Sequence, residues 1–261
     1  MLSDTAVSCE VSGAVATIGF ERPERRNAFD GVMLESLGRH LERLADDPDC
    51  HVVVLRGAGG HFCAGWDFAE LDKLRTSGDQ ALRRQFDASL SLLRALENHP
   101  KVIVSLAEGT VMGFGFALIA RSDIVLANRS CNFALPEIGL GIVPAIVMVD
   151  AQRTLPARLA LDCLLSGRRL DADEASSAGL VSRVLADTEF DAAAGSIITG
   201  IASASGSVLT KTKALFQRLS GLERNAADTA AIAAAIEALG APAASEGIAA
   251  QREKRRPRWP E

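Results

Sequence analysis

Apolar and polar residues alternate from Val7 to Phe20 with a break at Ser12-Gly13, so the chain is expected to open with two strands joined by a tight turn. A polar loop, Arg22-Pro23-Glu24-Arg25-Arg26-Asn27, follows. Met33, Leu34, Leu37, Leu41 and Leu44 then recur at helical spacing until the Asp46-Asp47-Pro48 cluster stops the helix. Val52-Val53-Val54-Leu55 is a short, wholly apolar strand of the kind buried on both faces of a sheet. The pattern repeats with a second amphipathic helix at Leu82, Phe86, Leu90, Leu93 and Leu96, ended before Pro100, and a buried strand from Lys101 to Leu106. A third strand, Asp123 to Ala127, comes after a short all-apolar segment. Strands and helices in this order require crossover connections and predict an α/β domain. From about Pro144 strand signals nearly vanish, leaving helices at 157–165, 210–219 and 226–239. The Ala-rich run Ala230 to Ile236 favours helix and allows close helix packing, on the α/β body or on another subunit. The expected organisation is one α/β domain over 1–200 and a helical region over 201–261.

Composition narrows the classes. With 261 residues and 48% hydrophobic content the chain can bury one large core. No apolar run reaches the roughly 18 residues of a spanning helix, and Met1-Leu2-Ser3-Asp4 lacks the order of a secretory signal. A cytoplasmic protein without membrane association is expected. Five cysteines, widely spread and without a C-x-x-C pair, support neither disulfides nor zinc. His40, His51, His61 and His99 show no ligand spacing, so no metal is expected. A net charge of −5 argues against a nucleic-acid partner. Only the tail, Gln251 to Arg258, is strongly basic. It suits either a phosphate-bearing ligand or a neighbour's acidic surface, or else it is a solvated helix end whose cations complement the helix dipole.

Two glycine-bearing segments carry the candidate chemistry. Gly57 to Asp67 leaves the Val52–Leu55 strand and is built of residues that let backbone approach a ligand. Asp67, with Glu70 three positions on, reads as a helix cap rather than a catalytic group. Glu108 to Leu118 also leaves a strand and enters a short helix that is apolar all round, hence buried. Its first turn offers unpaired N–H groups where negative oxygen develops, although such a Gly-x-Gly turn serves close packing equally well. Glu137 stands among apolar neighbours, Leu135, Ile138 and Leu140, which raises a carboxyl pKa and suits a proton donor. On composition alone a helix cap or ion pair after Pro136 fits it too.

Taken in order, these segments resemble the crotonase superfamily, the enoyl-CoA hydratase/isomerase family, over nearly the whole chain. Arg22-Pro23…Asn27-Ala28 is similar to the loop after its first hairpin, and Phe62-Cys63-Ala64-Gly65-Trp66-Asp67 to its first oxyanion motif. Gly109 to Gly115, with Asp123 after it, is similar to the second, and Phe133 to Gly141 to the acidic motif. Asp171 to Val181 and the closing Glu246-Gly247-Ile248…Lys254-Arg255…Pro257…Trp259 complete the series. The resemblance implies a ββα spiral core with a helical C-terminal trimerisation region, forming a homotrimer or a dimer of trimers. It implies acyl-CoA as substrate, or an acyl carrier thioester, and no cofactor. Catalysis would use the N–H groups of Trp66 and Phe114 and the carboxyl of Glu137. Arg25, Arg26, Ala64, Gly65, Phe68, Gly113 and Lys254 would line or hold the acyl-CoA, Lys254 from a neighbouring subunit.

Departures from the family pattern bear on the reaction. The first family glutamate, three residues after the second donor, is Ala117 here, and residues 114 and 117 share one helix face. An aromatic residue usual before Lys254 is Gln251, and a lysine usual after the first donor is Ala69. The stretch from Phe133 to Ala145 is similar to the branch that hydrates or dehydrates branched glutaconyl-type thioesters, with one glutamate and a bound water. Hydration or dehydration of an enoyl-CoA is therefore the reading, with a Δ3-Δ2 double-bond isomerase as the alternative and a non-catalytic thioester-binding paralogue as the third.

Overall fold

A computed structural model describes residues 6–260. Residues 1–5 and 261 lie outside it, and with them the reading made from Met1-Leu2-Ser3-Asp4. β1 (Val7–Ser12) and β2 (Val15–Phe20) form the antiparallel hairpin, turning at Gly13 with φ 56°. α1 (Gly31–Ala45) is capped by Asp30, whose side chain accepts from the Met33 N–H at 2.9 Å. β3 (Val52–Gly57) returns parallel to β2. After α2 (Phe68–Arg75) and α3 (Asp79–Glu97), β4 (Val102–Ala107) lies parallel to β3. The order continues through β5 (Thr110–Met112), α4 (Phe114–Ala120), β6 (Ile124–Asn128), β7 (Asn132–Ala134), α5 (Ala145–Thr154), α6 (Ala157–Ser166), β8 (Arg169–Asp171), α7 (Ala172–Ser177) and β9 (Arg183–Leu185). α8 (Phe190–Ala202), α9 (Gly206–Ser220), α10 (Arg224–Gly240) and α11 (Pro242–Glu253) close the chain.

The strands make a six-stranded sheet, β1-β2-β3-β4-β6-β9, and a three-stranded one, β5-β7-β8. The all-apolar strands are buried on both faces with period two. Val53, Leu55 and Ile103 join one core with Leu37, Leu41 and Leu93 of α1 and α3, while Val52, Val54, Val102 and Val104 join another with Phe190, Ala194 and Ile198 of α8. The first core continues into α4, whose residues Phe114 to Ile119 are all buried, as its uniform apolarity predicts. β5, β7, β8 and β9 escape a periodicity reading because three residues are too few to show alternation. β8 and β9 fall in the stretch after Pro144 where no strand was expected; their backbones are strands because partners are there to pair with.

A buried histidine joins α1 to the start of β4. The Lys101 N–H donates to His99 Nδ1 at 3.2 Å, so Nε2 carries the proton and donates to the Leu41 carbonyl at 2.9 Å. Burial lowers the His99 pKa, the cations Lys213 and Lys101 lower it further, and the two backbone bonds only partly oppose them. The unfolded chain therefore binds a proton near the ordinary value of about 6.5 while the native imidazole stays neutral. Stability is expected to fall as pH drops below that value. Urea midpoints measured at about pH 7.5 and about pH 5.5 should show the loss, and His99→Asn should remove that part of the difference.

Candidate active site

The loop of residues 22–30 is a clamp on the first glycine segment. Asn27 is buried in the left-handed conformation (φ 56°), which asparagine tolerates better than most residues. Its Nδ2 donates to the carbonyls of Ala58 at 2.9 Å and His61 at 2.6 Å, and its Oδ1 accepts from the Arg22 N–H at 2.9 Å. Gly57 must be glycine there, because a Cβ would strike the His61 and Phe62 carbonyl oxygens. The Arg22 guanidinium bonds Asp30, the Ala28 carbonyl and Asp67, each at 2.9 Å. Asp67 caps α2 as expected, accepting from the Ala69 N–H at 2.9 Å. Burial raises its pKa, but that N–H and Arg22 outweigh burial and hold the carboxyl below its ordinary value. The reciprocal half of a capping box does not form. The Asp67 N–H already donates to the Phe29 carbonyl at 2.8 Å, and Glu70 pairs with Lys73 at 3.5 Å instead.

Backbone pairing brings the two glycine segments together. Cys63 N–H donates to the Thr110 carbonyl at 3.1 Å and Met112 N–H to the Cys63 carbonyl at 2.9 Å. On the other side, Phe29 N–H donates to Gly65 at 2.8 Å, so Phe29 spends both its backbone groups on the neighbours of Trp66. In a parallel bridge of this kind the Trp66 N–H must point away from Phe29. Gly65 (φ 100°) and Gly113 (φ 51°) then abut: a Cβ on Gly65 would lie 3.2 Å from the Met112 oxygen and 3.7 Å from Gly113 Cα. One residue beyond each glycine stand the Trp66 amide and the Phe114 amide, the latter at the first position of α4, where no intrahelical acceptor exists. Neither amide donates to a protein acceptor among the described residues. The bulky side chains at these positions turn into an aromatic cluster. The Phe114 ring lies 5.3 Å from that of Phe29 and 5.1 Å from that of Trp66.

The acid arrives by the second sheet. β7 pairs parallel with β5, Met112 beside Ala134, and Gly113 N–H donates to the Ala134 carbonyl at 3.1 Å. Pro136 starts a 3-10 turn over Pro136–Leu140 that folds Glu137 back on Gly113, with Oε1 2.9 Å from where a Cβ would stand. Glu137 Oε2 is buried and bonds no protein atom among the described residues. Desolvation by burial raises its pKa, opposed by its own backbone N–H. Glu137 is thus neither a cap nor an ion-paired residue. Ala117 is fully buried in α4 and leaves Glu137 without a second carboxylate from that helix. Phe68, Ile138, Leu140, Ile142 and Val143 are exposed apolar residues on α2 and the acid loop.

Of the residues expected to hold the substrate, Ala64, Gly65 and Gly113 lie in this cluster. Arg26 is tied to it through its carbonyl, which accepts from the Ala64 N–H at 3.0 Å, and both Arg25 and Arg26 are exposed. Lys254 is elsewhere. It ends α11 in the left-handed conformation, on a tail fixed by the Arg255–Glu246 pair at 2.6 and 3.0 Å and by Trp259 Nε1 donating to the Ser203 carbonyl at 2.7 Å. The cysteines are free, and burial drives the Cys63 thiol up to about 12, so it packs rather than reacts. No group of three His, Cys, Asp or Glu among the described residues is arranged to hold a metal. The clamping roles of Asn27 and Arg22 escape a reading of residue types, since a polar loop residue gives no sign that it is buried.

Two amides without protein acceptors among the described residues thus stand at the Gly65–Gly113 contact, with one desolvated carboxyl packed on Gly113. The family model described as Enoyl-CoA hydratase/isomerase matches residues 10–261, and the chain belongs to that family. It is 30% identical over 257 residues to the mitochondrial enoyl-CoA hydratase domain-containing protein 3 of Danio rerio, covering 98% of this chain and 88% of that one. It is also 30% identical to the carnitinyl-CoA dehydratase of Proteus mirabilis, covering 95% of each. The crystal structure of human enoyl-CoA hydratase domain-containing protein 3 superposes with a TM-score of 0.92 at 28% identity, covering 97% of this chain and 100% of that one.

A Cβ on Gly113 would lie 2.9 Å from Glu137 Oε1 and push that carboxyl aside, and the φ of Gly113 is one that L residues rarely adopt. Gly113→Ala is therefore expected to remain folded with a lower Tm while turnover of enoyl thioesters drops about 10²-fold, the cost of misplacing a reacting group by about an ångström. Thermal melts and steady-state kinetics on the same preparation check it.

Proposed function

We propose that this protein hydrates enoyl-CoA thioesters and dehydrates 3-hydroxyacyl-CoA thioesters, branched glutaconyl-type acyl groups included, with Glu137 as the acid-base group. One observation carries the reading: the Glu137 carboxyl packs on Gly113 with a buried, unpartnered oxygen, next to two free amides. In dehydration the carboxylate takes the α-proton and the Trp66 and Phe114 N–H groups bind the enolate oxygen. The carboxylic acid so formed then protonates the departing 3-hydroxyl, leaving as water. A single group serves both transfers, so Ala117 is compatible with the reaction. Hydration is the reverse, with Glu137 taking a proton from the attacking water. The same carboxylate moving a proton from the α- to the γ-carbon gives the isomerase as the second reading, favoured by the absence of a second carboxylate at 117. The dehydratase name of the Proteus mirabilis relative supports the first.

Arg25 and Arg26 are suited to the CoA phosphates. Residues 201–261 form the oligomerisation region in this reading. α10 has no buried residue, and Ile232 (63% exposed), Ile236 and Leu239 (71%) lie at helical spacing as an apolar face suited to another copy in a trimer or dimer of trimers. Lys254 would then reach the CoA of the neighbouring subunit.

Glu137→Gln is expected to lower turnover of a panel of enoyl- and 3-hydroxyacyl-CoA thioesters by at least about 10²-fold and to stop exchange of the α-proton in heavy water. Hydration products alone favour the hydratase; shifted double bonds favour the isomerase; bound thioester with neither turnover nor exchange in wild type and variant alike makes the protein a binding paralogue. Ile236→Glu with Leu239→Glu should move the sedimentation profile to a smaller species, and an unchanged profile places the interface elsewhere.

A further inference from the structure

The helix that carries the Phe114 amide ends at Arg121, and that side chain is 8% exposed. Its Nε donates to Asp150 Oδ1 at 2.8 Å and its Nη1 to Glu97 Oε2 at 2.9 Å. Arg153 of α5 completes the group, 3.1 Å from the other Glu97 oxygen. Asp150, with its side chain 3% exposed, belongs to α5, which follows directly on the loop that bears Glu137. We propose that Arg121 is a positioning residue that holds the acid loop in register with the oxyanion helix, by bridging α4 to α5 through Asp150 and anchoring both on Glu97 of α3.

The chain between Glu137 and α5 transmits that register. The Ile142 N–H donates to the Glu137 carbonyl and the Gly141 N–H to the Ile138 carbonyl, both at 3.1 Å, and the Met148 N–H in α5 donates back to Pro144 at 2.9 Å. Upstream, Glu137 is already tied to α4 by the Gly113–Ala134 bond. Apolar packing of Val147 and Ala151 holds α5 on the core, and Arg121 adds the directional bond that fixes its register against α4. Stability is a poor account of the same pair. A buried Arg–Asp contact roughly breaks even against apolar side chains of similar volume, and here Asp150 Oδ2 is buried without a partner, a cost that an apolar pair would not carry. Guanidinium geometry fits registration, because one rigid planar fork presents two donors at fixed spacing to two carboxylates on two helices, whereas the donors of an ammonium rotate freely.

The inference rests on the assignment of Glu137 and Phe114 above, and its test separates the two. Arg121→Lys keeps the charge and loses the fork; Arg121→Met with Asp150→Leu replaces the pair by apolar side chains. Two readouts are taken: kcat and KM on the enoyl-CoA thioester turned over fastest, and the titration of the Glu137 carboxyl, followed by NMR of carboxyl-13C glutamate and assigned by its absence from Glu137→Gln. Only burial and its own backbone N–H act on that carboxyl, so a loosened loop that admits water should lower its pKa toward the ordinary value. The expected result is a kcat lower by about 10- to 100-fold with KM nearly unchanged, and a Glu137 titration shifted downward, in variants that still unfold cooperatively. A folded variant with wild-type kcat and wild-type titration overturns the proposal. Should the double variant not fold, Arg121→Lys decides alone. If Glu137→Gln is as active as wild type, the functional assignment falls, and the ligand-free titration still decides whether Arg121 positions the carboxyl.

Discussion

Everything at this site depends on two backbones passing each other where Gly65 meets Gly113. Both glycines hold a φ that side chains rarely adopt, a Cβ on Gly65 would press the Met112 oxygen at 3.2 Å, and a third glycine, Gly115, is required where α4 crosses Cys63: a Cβ there would lie 2.6 Å from the Cys63 oxygen. The contact brings together two chain segments whose next amides, those of Trp66 and Phe114, have no protein acceptor among the described residues. The segments pair through backbone groups, while the rings of Trp66 and Phe114 pack together. The clamp of Asn27 on the carbonyls of Ala58 and His61 then prevents the first segment from drifting.

Three carboxylates show how surroundings assign roles. Asp67 is almost buried but accepts from a backbone N–H and from Arg22, so it stays ionised and caps a helix. Asp150 is buried against Arg121, with burial still the larger influence, and its pKa rises. Glu137 has burial and no cation, so its pKa rises with no partner to hold the charged form. The difference lies in partners, since all three are largely removed from water.

The spiral core and the helical tail contribute different things. Parallel strands with interiors on both faces make β3 and β4 rigid, and both glycine segments are loops leaving the ends of these strands, as suits a site grafted on a firm sheet. The tail buries little within one chain. α10 keeps Ile232, Ile236 and Leu239 in solvent, and the exposed apolar residues Ile142 and Val143 follow the acid at the mouth of the site.

Periodicity and residue type alone determined the opening hairpin, the amphipathic helices, the doubly buried strands, the buried α4 and the cap at Asp67, because each is a local pattern read against one solvent boundary. The resemblance carried by the glycine, proline and glutamate motifs supplied the family and singled out the candidate site residues. Tertiary structure alone decided the rest. Three-residue strands such as β8 and β9 exist only because a partner edge is present, and the apolar composition around Glu137 was consistent with a cap or an ion pair until β5–β7 pairing set it against Gly113. Whether Asn27 or Arg121 is buried depends on what folds over it from far along the chain, such as the Ala58 carbonyl and Asp150, and no spacing within the sequence encodes that encounter.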